Sequence, residues 1–150
     1  AQKGISLDPE QGLLTASTSE AYSFLLKLLC NPGDQIAVPT PSYPLFGYLA
    51  SLNDARAVGY PLRYDKDRWR IDFGELKKRL TPKTKALVAV HPNNPTGSCL
   101  LRGEWEEVVE QCRVRNLVLI SDEVFAEYLL SPFHKVKTWD DMLQEQGGRV

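Results

Sequence analysis

Four short stretches of this 150-residue chain carry side chains that can do chemistry. Asp122 lies in SDEVF (Ser121–Phe125), at the end of the apolar run NLVLIS. A carboxylate at the end of a buried strand is short of water and needs a donor or a cation. Asp122 can face a cationic ring nitrogen, whereas Glu123, the next residue along, points another way. HPNNPTG (His91–Gly97) follows a second apolar run. It sets two amides, Asn93 and Asn94, on a chain stiffened by Pro92 and Pro95, and each amide can donate and accept. TASTSEA (Thr15–Ala21) has capping-box spacing, with Ser17 as N-cap and Glu20 three residues on. A helix start has unpaired N–H groups and partial positive charge, so it suits a phosphate. The hydroxyls of Ser17, Thr18 and Ser19 add donors there. PSYPLF (Pro41–Phe46) puts Tyr43 in a loop where its ring can stack on a flat ligand.

Each stretch also has a plain structural reading: a helix cap, a proline turn, an acid capping the next segment, a hydrophobic plug. Taken singly, both readings stand. Taken together, the four offer an anion cradle, a stacking face, an amide and a carboxylate. A flat, phosphorylated, nitrogen-containing aromatic uses all of them, and pyridoxal phosphate is such a molecule.

The elements that must position these residues alternate. QIAVPT (35–40), ARAVGYPL (55–62), ALVAVH (86–91) and NLVLIS (116–121) read as strands. ALVAV and LVLI show no polar alternation, the pattern of strands buried on both faces. Between them SEAYSFLLKLLC (19–30) reads as a helix with Ala21, Phe24, Leu25, Leu28 and Leu29 at helical spacing, stopped by Asn31, Pro32 and Gly33. Further helices are expected over 44–52, 72–80, 103–115 and 138–146. The expected fold is α/β: a three-layer α/β/α sandwich with a mostly parallel sheet. Ligands in such sheets bind beyond the carboxyl ends of the strands, where all four stretches except the helix start fall.

Bulk composition excludes more than it identifies. Net charge is -1, with Lys and Arg dispersed, which argues against nucleic acid or an anionic membrane surface as partner. No apolar run nears the ~20 residues that span a bilayer. Cys30, Cys99 and Cys112 are odd in number and lack metal-ligand spacing, so no metal is expected and a reducing, cytoplasmic setting is. His91 reads as a strand-end residue near the site, His134 as a surface residue, and Glu104–Glu107 as a solvated helix start. The chain opens without methionine and closes on GGRV, which leads to the expectation of a segment from a longer protein.

HPNNPTG, then a helix, a buried strand and SDEV, resembles the large domain of class I/II, fold-type I pyridoxal-phosphate enzymes, the aspartate-aminotransferase superfamily. NPGDQIAVPTPSYPLF resembles that family's approach to its ring-stacking aromatic, and the likeness runs from about Gly12 to Tyr128. The resemblance implies that Ser17, Thr18 and Ser19 bind the phosphate and that Tyr43 stacks on the pyridine ring. It further implies that Asn94 bonds the ring oxygen and reaches the substrate carboxylate, and that Asp122 faces the ring nitrogen. Two features depart from the family. Glycine is frequent in the phosphate turn, where Ser17 and Thr18 stand here. Many members carry tyrosine at Phe125, whose ring has no hydroxyl to give the same oxygen.

The implied activity is amino-group transfer between an amino acid and a 2-oxo acid, by a homodimer. C–S lyases and synthases of the same fold, and non-catalytic regulatory domains, are the alternatives. Residues 1–150 would form part of the cofactor-binding large domain, with the rest of that domain and the small domain outside this chain. The family's Schiff-base lysine follows the next buried strand, so it would lie past Val150, and Lys135 and Lys137 are set aside for that role. On this reading the isolated segment is inactive.

Overall fold

The computed structural model describes Glu10 and residues 12–128. The helix expected over 138–146, and with it His134, Lys135, Lys137 and Trp139, lies outside the described residues.

Among the described residues, four α-helices and five strands follow in the order α1 (Thr18–Leu29), β1 (Gln35–Thr40), α2 (Phe46–Leu52), β2 (Arg56–Asp65), β3 (Arg68–Ile71), α3 (Phe73–Arg79), β4 (Thr84–Val90), α4 (Arg102–Arg115) and β5 (Val118–Asp122), and a short 3-10 turn covers Ala126–Tyr128. The sheet order is β3-β2-β1-β4-β5. β1 pairs in parallel with β2 and β4, and β4 with β5; β3 is antiparallel to β2. The mostly parallel sheet is therefore as expected, with one addition. Strand β2 runs on to Asp65 and folds back through a turn at Lys66 (φ 60°) into β3. RWRI alternates large and charged residues, so this edge hairpin lacks the continuous apolar run that marks the inner strands.

Side-chain alternation splits the core in two. Ile36, Val38, Ala86, Val88 and Val90 meet Tyr22 and Leu26 of α1 and Phe46 and Ala50 of α2 on one face. Ala37, Tyr60 and Leu87 meet Leu76 of α3 and Val108 and Cys112 of α4 on the other. β4 is buried on both faces, as its sequence implies. β5 is not: Val118 is 42% exposed, because no strand among the described residues pairs with its outer side.

The α1 face differs from expectation. Tyr22 and Leu26 are its buried residues, while Phe24 and Leu28 are 44% and 79% exposed. The helix is turned so that a tyrosine, with a polar tip that finds a partner inside, takes the place of a wholly apolar residue. Glu104 is a second correction. It is not a solvated helix start: its carboxylate accepts from the N–H groups of Leu101 (3.1 Å) and Ile71 (3.2 Å) and pairs with Arg68 (2.7 Å). It thereby ties α4 to the hairpin. No helix among the described residues is long and apolar enough to cross a membrane.

Candidate functional site

From β1 the chain crosses through α2 to β2 on one side; from β4 it crosses through α4 to β5 on the other. The loops leaving β1 and β4 thus lead away in opposite directions from the carboxyl ends of two adjacent strands, the place where ligands bind in such sheets. Asn93 joins the two loops. Its amide donates to the Pro41 carbonyl (3.1 Å) and to Thr96 Oγ1 (2.8 Å), and its oxygen accepts from Ser42 (2.8 Å). At 3% exposure, this side chain is committed to structure, and it fixes the loop that carries Tyr43 against the loop that carries Asn94. The next residue is the opposite case. Asn94 is only half-buried, and its amide makes no hydrogen bond among the described residues. The peptide bonds before Pro41, Pro92 and Pro95 are cis.

The Tyr43 ring lies edge-on to Phe46 (centroids 6.0 Å apart), and Phe46 edge-on to Tyr22 (5.2 Å). The Tyr22 hydroxyl donates to Asp122 Oδ2 (2.8 Å), and the Val124 N–H donates to Oδ1 (3.1 Å). Asp122 faces no cation among the described residues. Two donors leave part of an ionised carboxylate's acceptor capacity unspent.

A cavity of about 310 Å³ lies beside it, lined by Thr18, Ala21, Tyr22 and Leu25 of α1 and by Ile120–Val124. The start of α1 and the end of β5 therefore open on one space. Ser17 caps α1, its Oγ accepting from the Glu20 N–H (3.2 Å). The Glu20 carboxylate returns to the Ala16 N–H (2.7 Å), one residue earlier than a regular capping box would place it. The N–H groups of Ser17, Thr18 and Ser19 consequently keep no partner within the described residues, and the cap hydroxyl can still donate.

Of the residues singled out in the sequence, Thr18 and Asp122 line this cavity. Ser17 and Ser19 flank Thr18. Tyr43 and Asn94 stand on the two loops joined by Asn93. Phe125 does not join them: it is exposed and packs edge-on against Tyr128, with centroids 6.2 Å apart. Two residues escaped the sequence reading. Asn93 was undistinguished from Asn94, and only its depth separates them. Tyr22 carried one signal, a tyrosine amid leucines on a helix that begins at the site. His91 is fully buried, its ring tilted on Trp105 and 3.3 Å from Ser121 Oγ. Burial raises all three thiols, Cys112 to about 11, so none is a ready nucleophile. No group of side chains able to hold a metal occurs among the described residues.

The residues fit pyridoxal phosphate. Open N–H groups suit its anionic tail, an unspent carboxylate suits a ring N–H, and an uncommitted amide suits the ring oxygen.

The chain is 33% identical to the arginine–pyruvate transaminase AruH of Pseudomonas aeruginosa over 133 residues, covering 89% of this chain and 34% of that protein. It is 35% identical over 111 residues to the glutamate–pyruvate aminotransferase AlaA of Escherichia coli, covering 74% and 27%. Among solved structures it matches an alanine aminotransferase from Pyrococcus furiosus with a TM-score of 0.76 and 32% identity, over 82% of this chain and 31% of that one. It matches an aspartate aminotransferase from Thermotoga maritima with a TM-score of 0.84 and 25% identity, over 93% and 36%. The chain thus spans between about a quarter and about a third of the length of these relatives. The family description "Aminotransferase class I and II" matches residues 1–145, and the chain belongs to that family.

Proposed function

We propose that this chain forms the cofactor-binding part of a pyridoxal-phosphate-dependent aminotransferase, one that moves an amino group between an amino acid and a 2-oxo acid. The observation that carries the proposal is the Asp122 carboxylate. It is oriented by Tyr22 and Val124, lacks a cation among the described residues, and opens on the same cavity as the first turn of α1.

When bound, pyridoxal phosphate supplies an electron sink for loss of the substrate's α-proton. The chain's own residues hold and orient it. The N–H groups and hydroxyls of Ser17, Thr18 and Ser19 bind the phosphate, helped by the positive end of α1. Tyr43 offers its ring as a stacking face. Asn94 donates to the ring oxygen and reaches the substrate carboxylate, a task Phe125 cannot share. Asp122 accepts from the ring N–H and, as a nearby negative charge, holds the proton on that nitrogen.

The same reading makes residues 1–150 part of a larger cofactor domain, completed elsewhere in the polypeptide by a lysine and by the groups that choose the substrate. Three unpaired thiols suit a reducing compartment, and we place the protein in the cytoplasm as a homodimer. Sedimentation of the full-length protein tests the dimer.

The test of the site is Asp122→Ala in the full-length enzyme. Transamination is expected to fall by a factor of about a hundred or more, with the fold retained. Turnover close to that of the wild type would remove Asp122 from the site and the proposal with it.

A further inference from the structure

Asp122 is held by another side chain, and that side chain comes from the element expected to bind the phosphate. Tyr22 stands one helical turn after Thr18 on α1. It is buried at its ring and edge-on to Phe46, which is itself buried and edge-on to Tyr43. Its hydroxyl reaches Asp122 Oδ2 at 2.8 Å, across 100 residues of sequence. A continuous ladder thus runs from the candidate stacking ring through Phe46 and Tyr22 to the candidate ring-nitrogen partner. Burial, and after it the Asp122 charge, push the Tyr22 hydroxyl above its ordinary range, so it stays protonated and can act only as donor toward the carboxylate.

We propose that Tyr22 is a positioning residue for Asp122: its O–H fixes the plane of the carboxylate and sets how strongly Asp122 draws the proton from the cofactor's ring nitrogen. This rests on the role given to Asp122 above. The physical argument has two steps. A hydrogen bond donated to an ionised carboxylate stabilises the ionised form, so the carboxylate becomes a weaker base. A weaker base leaves the shared proton on the nitrogen. Removing the donor withdraws that stabilisation, lets the shared proton move toward the carboxylate, and frees the carboxylate to rotate. The Val124 N–H on the other oxygen alone cannot fix the rotation, because it belongs to the same short segment and moves with it.

Tyr22→Phe in the full-length holoenzyme keeps the ring, the edge-on contact and the core volume, and removes one hydroxyl. The readout is the ¹⁵N resonance of the ring nitrogen in bound ¹⁵N-labelled pyridoxal phosphate, together with the cofactor's dissociation constant from titration of the apoenzyme. The resonance is expected to move toward the unprotonated position, the dissociation constant to rise about tenfold, and kcat to fall about tenfold with KM little changed. A merely structural tyrosine would leave the resonance in place. Replacing Tyr22 by 3-fluorotyrosine strengthens the donor and is expected to move the resonance the opposite way; this arm decides the matter if the phenylalanine variant does not fold. A resonance unmoved in either folded variant overturns the inference. Asp122→Ala, measured alongside, separates the two ideas. If that variant keeps the wild-type resonance, the reading of Asp122 fails; if it loses it while Tyr22→Phe does not, only the role of Tyr22 fails.

Discussion

The two edges of the sheet treat polar groups in opposite ways. At the hairpin edge charge is matched by charge: Arg68 with Glu104 at 2.7 Å, Arg63 with Asp72, and, between the helices behind it, Lys77 with Glu107 at 2.8 Å. At the β5 edge there are fewer charges and less closure. Asp122 takes two neutral donors and faces no cation among the described residues. The edge denser in charge is the one whose charges are consumed in holding elements together. Functional capacity is better located by what a side chain has left over than by how many ionisable groups surround it.

The same contrast is compressed into two adjacent residues, and there it can be broken most sharply. Asn93→Ala removes a buried amide, strands Ser42 and the Pro41 carbonyl, and takes one of its partners from Thr96. A loss of about 2–4 kcal/mol is expected in denaturant unfolding of the full-length protein. Asn94→Ala, one residue on, should leave unfolding within about 0.5 kcal/mol of wild type, because its amide holds nothing within the described residues. It should instead weaken cofactor binding. Equal destabilisation by the two substitutions would erase the distinction between a committed and an uncommitted amide.

A weaker effect is expected at the hairpin edge. Glu104→Ala removes the acceptor for two backbone N–H groups and the partner of Arg68. It should cost about 1–3 kcal/mol of stability. The apoenzyme's affinity for pyridoxal phosphate should be unchanged, since the residue sits on the α3–α4 side of the sheet. A cofactor affinity that falls with Glu104→Ala would show that the two edges are coupled.

These two amides also mark how far the sequence could be read. The inner strands and the extents of four helices were legible because an unbroken apolar run, or a repeat of three to four residues, marks an element that must be buried. The hairpin was not, because RWRI satisfies its burial through alternate residues and hides it under five charges within Arg63–Arg68. Ser17 as a cap was legible from its spacing to Glu20. That Glu20 would return to Ala16 rather than Ser17 depends on the approach of the chain before the helix, which spacing does not encode. The pairing of Tyr22 with Asp122 was invisible for a different reason. It joins residues 100 apart, and the face of α1 it requires is set by a partner on β5 rather than by the helix's own apolar pattern.

The smallest expected effect concerns Asp72, where the hairpin edge uses a charge for both a helix and a strand. Its side chain caps α3 by accepting from the Glu75 N–H (3.0 Å) and pairs with Arg63 of β2. The Glu75 N–H first, and the Arg63 guanidinium next, hold its carboxyl below the usual range. A folded-state carboxyl with a lowered pKa contributes stability that is present above the unfolded value, about 3.9, and is lost as pH falls through the folded value. Asp72→Asn keeps a competent cap but loses the charge. Its unfolding midpoint should therefore lie slightly below that of the wild type at pH 7. The difference should close as pH is lowered from about 4, where the wild-type carboxylate is protonated in turn. The Arg63 partner is largely exposed, so salt should shrink the gap at pH 7 as well. A gap that persists under acid would assign the effect to cap geometry instead of charge. The hairpin edge would then be held there by the same kind of neutral hydrogen bonding that orients Asp122 at the other edge.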